Sequence, residues 1–178
     1  MKKFLTPTYL INSIYLIHPE DLKRRNIKGM IVDLDNTLIA WDQLDHTKEL
    51  ENWAQEFIQA GIQIFILSNN YNHRVERVVE PLDIPYKAGA FKPSRRNFKL
   101  AMEYMELERD EVVVIGDQIM TDVIGAKRLG LKVILVKPIV EHDSIYTIIN
   151  RNIEKIALKI IGIDRKSDWG ESIESRNR

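Results

Sequence analysis

Short runs of branched apolar residues alternate along the chain with stretches in which apolar residues recur every third or fourth position. Gly29-Met30-Ile31-Val32 leads into Asp33-Leu34-Asp35. Ile62 to Leu67 stops at Ser68-Asn69-Asn70, Val112-Val113-Val114-Ile115 lies between Glu111 and Gly116, and Leu131 to Val136 closes the set. Each run is brief and rich in Val and Ile, which predicts strands buried on both faces. Tyr86 to Phe91 predicts a further short extended piece. The intervening stretches read as helices. Leu50, Trp53, Ala54, Phe57 and Ile58 share a face that Gly61 terminates, and Val75, Val78 and Val79 share one that Pro81 and Pro85 end. Phe98, Ala101, Met102 and Met105 line a helix from Ser94, and Ile119 to Leu129 forms another before Gly130. The order strand, helix, strand, helix predicts an α/β fold, with a central parallel sheet between two helical layers in a Rossmann-like α/β/α arrangement.

The remaining segments fit around this core, assigned to residues 28–140. Residues 1–27 are a mixed lead-in expected to pack on it, with apolar Tyr9, Leu10, Ile14, Tyr15 and Ile17 and a helix start at Pro19-Glu20-Asp21. Residues 141–161 predict a C-terminal amphipathic helix. Ile145, Ile148, Ile149, Ile153, Ile156 and Ile160 form its apolar face, flanked by Arg151, Lys155 and Lys159. Such a stripe ordinarily packs on a core; the alternative is a basic amphipathic helix lying on an anionic membrane. Residues 162–178 read as a polar, loose tail in which Trp169 is incidental.

Composition narrows the functional classes. The chain has 178 residues, with 26 basic and 26 acidic side chains, so bulk charge does not draw it to nucleic acid. It contains no Cys, which excludes thiolate metal sites, thiol catalysis and disulfides. Apolar content of 44% suits one globular domain and argues against a disordered chain. No run of about 18 apolar residues occurs to span a bilayer. The apolar start after Lys2-Lys3 is interrupted by Pro7 and Asn12 without a small-residue cleavage site, so the expected location is the cytoplasm. The four histidines, His18, His46, His73 and His142, have no metal-ligand spacing.

Parallel sheets bind ligands at the carboxyl ends of their strands, and the polar residues there form a set. Asp33 and Asp35 follow the first strong run. If the chain stays extended, both point to one side, where two carboxylates repel unless a cation lies between them. Hard oxygen donors with open positions suit Mg2+. Ser68 follows the next run and offers a hydroxyl and an N–H to a phosphoryl oxygen. Lys92, before Pro93, offers a single cation, and Asp117 after Gly116 offers a third carboxylate, with Asp122 five residues on. Taken singly, each has an ordinary explanation as a turn residue, helix cap or solvated charge. Arg74 and Arg95, near Ser68 and Lys92 in sequence, read as solvated helix charges.

Together the four signals resemble the haloacid dehalogenase-type (HAD) phosphohydrolases, whose motifs run Asp-x-Asp-x-Thr, a strand-end Ser or Thr, Lys, then Gly-Asp with a further Asp. Residues 28–136 carry all of them. The lead-in Pro19-Glu20-Asp21-Leu22, Asp33-Leu34-Asp35-Asn36-Thr37-Leu38, Leu67-Ser68-Asn69-Asn70 and Lys92-Pro93 resemble more closely the bacterial YqeG branch, which is similar to phosphatidylglycerophosphate phosphatases. The resemblance implies a Mg2+-dependent phosphomonoester hydrolase with an aspartyl-phosphate intermediate. It makes Asp33 the nucleophile and Asp35 the acid and base. Asp33, the backbone carbonyl of Asp35, and Asp117 would hold the metal, while Thr37 and Asp122 orient the groups around it. Ser68, Asn69 and Lys92 would grip the substrate phosphate.

Chain length bears on the substrate. Neither the interval from Asp33 to Ser68 nor that from Ser68 to Lys92 has room for a large cap domain, so the site is expected to be open. An open site suits a phosphate on a lipid headgroup at a membrane or on a macromolecule, or an oligomer whose neighbour supplies the lid. A phosphatase for a soluble sugar phosphate or nucleotide, a phospho-acceptor signalling module and a non-catalytic binding scaffold are the other readings. Signalling modules usually place the acceptor Asp after a later strand, whereas here the Asp pair follows the first.

Overall fold

The structure is a computed structural model describing residues 2–140 and 148–173. Six parallel strands form one sheet: β1 (Tyr9–Ile11), β2 (Gly29–Val32), β3 (Gln63–Leu67), β4 (Tyr86–Lys87), β5 (Val112–Gly116) and β6 (Lys132–Val136), in the order β1-β6-β5-β2-β3-β4. The four strands read from apolar runs lie side by side in the middle. The lead-in holds two short helices, α1 (Lys2–Leu5) and α2 (Pro19–Lys23), and between them β1, which adds an edge that the sequence reading leaves without a strand. It pairs in register with β6, Tyr9 opposite Ile134 and Ile11 opposite Val136. The extended piece from Tyr86 narrows to two paired residues.

Alternation along the central strands divides the core in two. Met30, Val32, Ile64, Ile66, Val113 and Ile115 face one side, where they meet Trp53 and Phe57 of α3 (Lys48–Gln59) and Val75 and Val78 of α4 (Asn72–Val79). Ile31, Phe65, Leu67, Val112 and Val114 face the other, against Phe98 and Ala101 of α5 (Arg95–Met105) and Ala126 of a short helix, Ile124–Lys127. Apolar side chains on both faces are what a central parallel strand requires, and the three layers follow. A π-type turn, Ile119–Val123, precedes the short helix, so the predicted continuous helix from Ile119 begins as a wider coil. Thr47 starts α3 by accepting the Leu50 N–H at 3.1 Å.

The C-terminal segment departs from expectation. The last helix spans Ile148–Ile161, but its inward face is Glu154, Ala157 and Leu158, while Ile153, Ile156 and Ile160 are exposed. Ile153, Ile156 and Ile160 of the predicted stripe therefore do not pack on the sheet. Residues 154, 157, 158 and 161 also have helical spacing, and that stripe places Glu154 against backbone donors. Ile145 lies outside the described residues, as do the side chains of Ile148, Ile149 and Arg151. The tail is likewise not loose over residues 162–173. Trp169 is buried, its ring nitrogen donating to the Asp164 carbonyl at 2.8 Å and its backbone N–H to Asn12 Oδ1 at 3.0 Å. A large apolar ring with a polar handle gains from burial once that handle is satisfied. Residues 174–178 lie outside the described residues.

Candidate active site

The site forms where β2, β3 and β5 end. The Asp33 N–H donates to the Ile115 carbonyl at 2.9 Å, which holds this carboxylate at the rim of β5. After it the chain turns back on itself. Asn36 adopts φ 63°, a conformation Asn tolerates, and Asp35 bridges to Ile39. Thr37 Oγ1 donates to Asp33 Oδ2 at 3.3 Å.

Carboxylate oxygens of Asp33, Asp117 and Asp122 lie within 4.8 Å of one another. Lys92, from the loop after β4, bridges two of them, its Nζ 2.5 Å from Asp33 Oδ1 and 2.7 Å from Asp122 Oδ1. All four side chains are buried. Burial pushes Asp33 up to about 7, with Lys92 pulling it down and Asp122 and Asp35 adding to the rise. Burial also drives Asp117 well above the carboxylate range, and Asp33 and Asp122 push it further. Burial alone would lower Lys92, but Asp122 and Asp33 outweigh it and hold the ammonium above its ordinary range. Such a group of acids is stable as anions only with more positive charge than one lysine supplies.

The donor set fits a divalent cation. Asp117 Oδ1 is buried without a hydrogen-bond partner, an acceptor that a cation would satisfy. All donors are hard oxygens, as Mg2+ prefers. Asp122 comes into this cluster more directly than a purely orienting role requires. Its Oδ1 meets Lys92 and its Oδ2 accepts the Gln118 N–H at 3.2 Å. Gly116 makes room for it: a Cβ there would sit 2.4 Å from the Asp122 carboxylate.

The Asp35 side chain points away from the cluster, toward β3. Its Oδ2 accepts from Asn70 Nδ2 at 3.1 Å and faces the Ser68 hydroxyl at 3.5 Å. Its Oδ1 accepts from Arg74 Nη2 at 3.1 Å and Nε at 3.3 Å. Arg74 is thus buried on the site wall, not a solvated helix charge, and its guanidinium also donates to the carbonyls of Ala40, Trp41 and Gln43. The sequence reading misses Asn70 and assigns Arg74 to solvent, although Arg74 directly precedes the buried stripe Val75, Val78 and Val79. Arg95 is exposed, as expected.

Asn69, expected on the substrate, turns toward the protein. Its Oδ1 accepts the Lys92 N–H at 2.7 Å and its Nδ2 donates to the Lys92 carbonyl at 3.1 Å. Asn69 therefore holds the backbone that presents the Lys92 ammonium. Ser68 is buried, its Oγ accepting the Asn70 N–H at 3.0 Å. The segments between β2 and β3 and between β3 and β4 hold only loops and short helices, so neither inserts a cap domain.

A family model for hydrolases of the haloacid dehalogenase-like type matches residues 33–130. The probable phosphatase YqeG of Bacillus subtilis strain 168 is 42% identical over 171 residues, covering 96% of this chain and 99% of that protein. A chloroplastic and mitochondrial phosphatidylglycerophosphate phosphatase 1 of Arabidopsis thaliana is 22% identical over 174 residues, 90% of this chain and 48% of that protein. Among solved structures, the cobalt-bound deoxy-D-mannose-octulosonate 8-phosphate phosphatase of Haemophilus influenzae shares the fold. It has a TM-score of 0.50 at 19% identity and covers 79% of this chain and 92% of that one.

Proposed function

The chain belongs to the haloacid dehalogenase-like hydrolases, and from that premise we propose a Mg2+-dependent phosphatase that acts through Asp33 on a lipid-borne phosphomonoester, phosphatidylglycerophosphate first among them. The observation that carries the reading is the buried group of Asp33, Asp117, Asp122 and Lys92, with Asp117 Oδ1 left without a partner. Asp33, Asp117 and the backbone carbonyl of Asp35 would hold the cation, with Asp122 in reach of the same space. A bound divalent cation supplies the charge neutralisation that lets an anionic carboxylate approach an anionic phosphate.

The chain's own groups divide the chemistry. An Asp33 carboxylate oxygen bonds to phosphorus as the ester oxygen leaves, giving an aspartyl phosphate. Asp35 gives that leaving oxygen a proton and then takes one from the water that releases inorganic phosphate. Arg74 and Asn70 fix Asp35 for both transfers, because each bonds a different carboxylate oxygen. The Ser68 hydroxyl and the Lys92 ammonium bind the oxygens of the transferring group, and Asn69 keeps Lys92 in place. The uncapped site and the relative named for phosphatidylglycerophosphate support the lipid substrate.

The test is a phosphatase screen with and without Mg2+, offering phosphatidylglycerophosphate in vesicles beside soluble sugar phosphates and nucleotides, with Asp33→Asn as control. Mg2+-dependent phosphate release from the lipid, lost in the variant, is expected. Turnover of soluble compounds alone would overturn the lipid substrate, and near wild-type turnover by Asp33→Asn would overturn the nucleophile.

A further inference from the structure

Several of the largest exposed apolar side chains of the described residues stand on the loops that build the site. Phe91, next to Lys92, is 80% exposed, and Tyr71, next to Asn70, is 69% exposed. Leu44 and Trp41, on the loop after β2, are 59% and 39% exposed. These loops are joined to one another. The Gly89 N–H donates to the Asn70 carbonyl at 2.8 Å, the Ala90 N–H to the Ser68 carbonyl at 2.9 Å, and Asn69 clasps the Lys92 backbone. Arg74 ties the third loop in, since its backbone N–H donates to the Tyr71 carbonyl at 3.2 Å while its side chain holds the carbonyls of Trp41 and Gln43. Leu44, Trp41, Tyr71 and Phe91 thus stand on a rim of loops that are hydrogen-bonded to one another around Asp35 and Lys92.

Charge accompanies the apolar groups. Arg95 and Arg96, on the first turn of α5 after Phe91, are exposed and have no carboxylate partner among the described residues. Asp42 and Asp45 lie at the far end of the rim, and Asp45 is engaged by Arg77 at 2.7 Å. The Phe91 end is therefore the cationic end. Exposed apolar groups gathered on adjoining loops mark an interaction surface, where groups scattered singly need no explanation. Aromatic rings beside free guanidinium groups suit the boundary between lipid headgroups and acyl chains, where the ring is partly desolvated and the cation meets lipid phosphate.

We propose that the rim Leu44–Trp41–Tyr71–Phe91, with Arg95 and Arg96, is the face by which the protein docks on an anionic lipid bilayer. Docked there, the open site faces the headgroup layer, and a phosphate reaches Lys92 and Asp33 without the lipid leaving its leaflet. This inference rests on the reading that the substrate phosphate is carried by a lipid.

The experiment is co-sedimentation of the full chain with vesicles of phosphatidylcholine alone or mixed with phosphatidylglycerol. The variants are Tyr71→Ser with Phe91→Ser, and Arg95→Glu with Arg96→Glu. Wild type is expected to bind the mixed vesicles and to be released by salt. The aromatic pair is expected to lose about tenfold or more in partitioning, from the apolar area withdrawn from the bilayer. The arginine pair is expected to lose a similar factor on the mixed vesicles alone. Melting temperatures close to wild type show that neither variant acts by unfolding. Wild-type failure to bind, or binding unchanged in both variants, overturns the proposal. So does a dimer in light scattering that both variants dissolve, because the rim then seats a second copy. Vesicle binding through the rim without hydrolysis of any lipid phosphate supports the docking face and refutes the lipid substrate, so the two readings fail separately.

Discussion

Arg165 donates from Nη2 to the main-chain carbonyl of Asp117 at 2.7 Å, across 48 positions of sequence. The same nitrogen bonds Glu154 Oε1 at 3.1 Å, and the Glu154 carboxylate accepts the N–H groups of Ile119 and Met120 at 2.7 and 3.2 Å. Glu154 on the C-terminal helix and Arg165 in the segment after it thus hold both sides of the loop that carries Asp117. Glu154→Ala leaves two backbone donors at a buried turn without an acceptor and is expected to cost about 2 kcal/mol of stability. It is also expected to weaken Mg2+ binding by about tenfold, since a displaced ligand loop holds its ion less well. Calorimetric titration of the folded variant checks this. A lower melting temperature with unchanged Mg2+ affinity would confine Glu154 to holding the fold.

Arg74 makes its bonds to Asp35 through two nitrogens, while Gln43, Ala40 and Trp41 offer carbonyls to the same side chain. A lysine keeps the charge but cannot span that set. Arg74→Ala is expected to lower kcat by about 10- to 100-fold, because Asp35 is then free to leave the position its proton transfers require. Arg74→Lys should fall between the two. Steady-state rates on a soluble phosphate ester, with melting temperatures beside them, separate loss of positioning from loss of fold.

Burial raises Asp33 to about 7, against an ordinary Asp value of 3.8. Between those values the metal-free folded state binds more protons than the unfolded state, so its stability falls as pH rises through the window. A divalent cation held by the proposed carboxylate site would compete with that proton, so the stabilisation that Mg2+ gives should grow over the same range and level off above pH 7 or so. Melting curves at successive pH values, with and without Mg2+, measure both trends. Asp33→Asn, which has no such proton to lose, should make the metal-free curve less steep, the remaining slope coming from Asp117 and Glu154, which burial also raises. A metal-free stability that instead rises from pH 4 to 7 would refute the assignment.

Gly116 and Asp122 approach so closely that a methyl group on the glycine would lie 2.4 Å from the carboxylate. Asp122 cannot withdraw without leaving Lys92 and the Gln118 N–H. Gly116→Ala is therefore expected to destabilise by about 1–3 kcal/mol and to reduce turnover with it. Chemical denaturation and initial rates on one preparation provide the check, and wild-type values for both would show that the cluster has slack.

Much of this architecture was legible in the order of residues. The central strands announce themselves because burial on both faces demands unbroken Val and Ile, and the acids stand out because they end such runs. Asp33, Asp35, Ser68 and Asp117 stand at the ends of such runs, whereas Lys92 is singled out by Pro93 beside it and by its place in the motif order. What was not legible depends on partners far along the chain. Asn69 resembles a ligand-facing residue until the Lys92 backbone comes to lie beside it. Glu154 sits in a helix with two apolar stripes, and only the N–H groups of Ile119 and Met120 decide which one turns inward. β1 has three residues, too few for a period, and its pairing depends on β6 being already in place. Trp169 carries no local signal of burial: Asp164, which accepts from its ring, is close in sequence, but Asn12, which accepts its backbone N–H, is a neighbour only in the fold.

The outermost strands of the sheet are also its shortest, three residues in β1 and two in β4. A passing chain meets few free peptide groups along either margin, so strand addition from outside has little to grow on. The four middle strands are composed largely of the side chains that drive cross-β stacking. Flanking them with abbreviated strands leaves so apolar a sheet little margin along which a second chain could extend it.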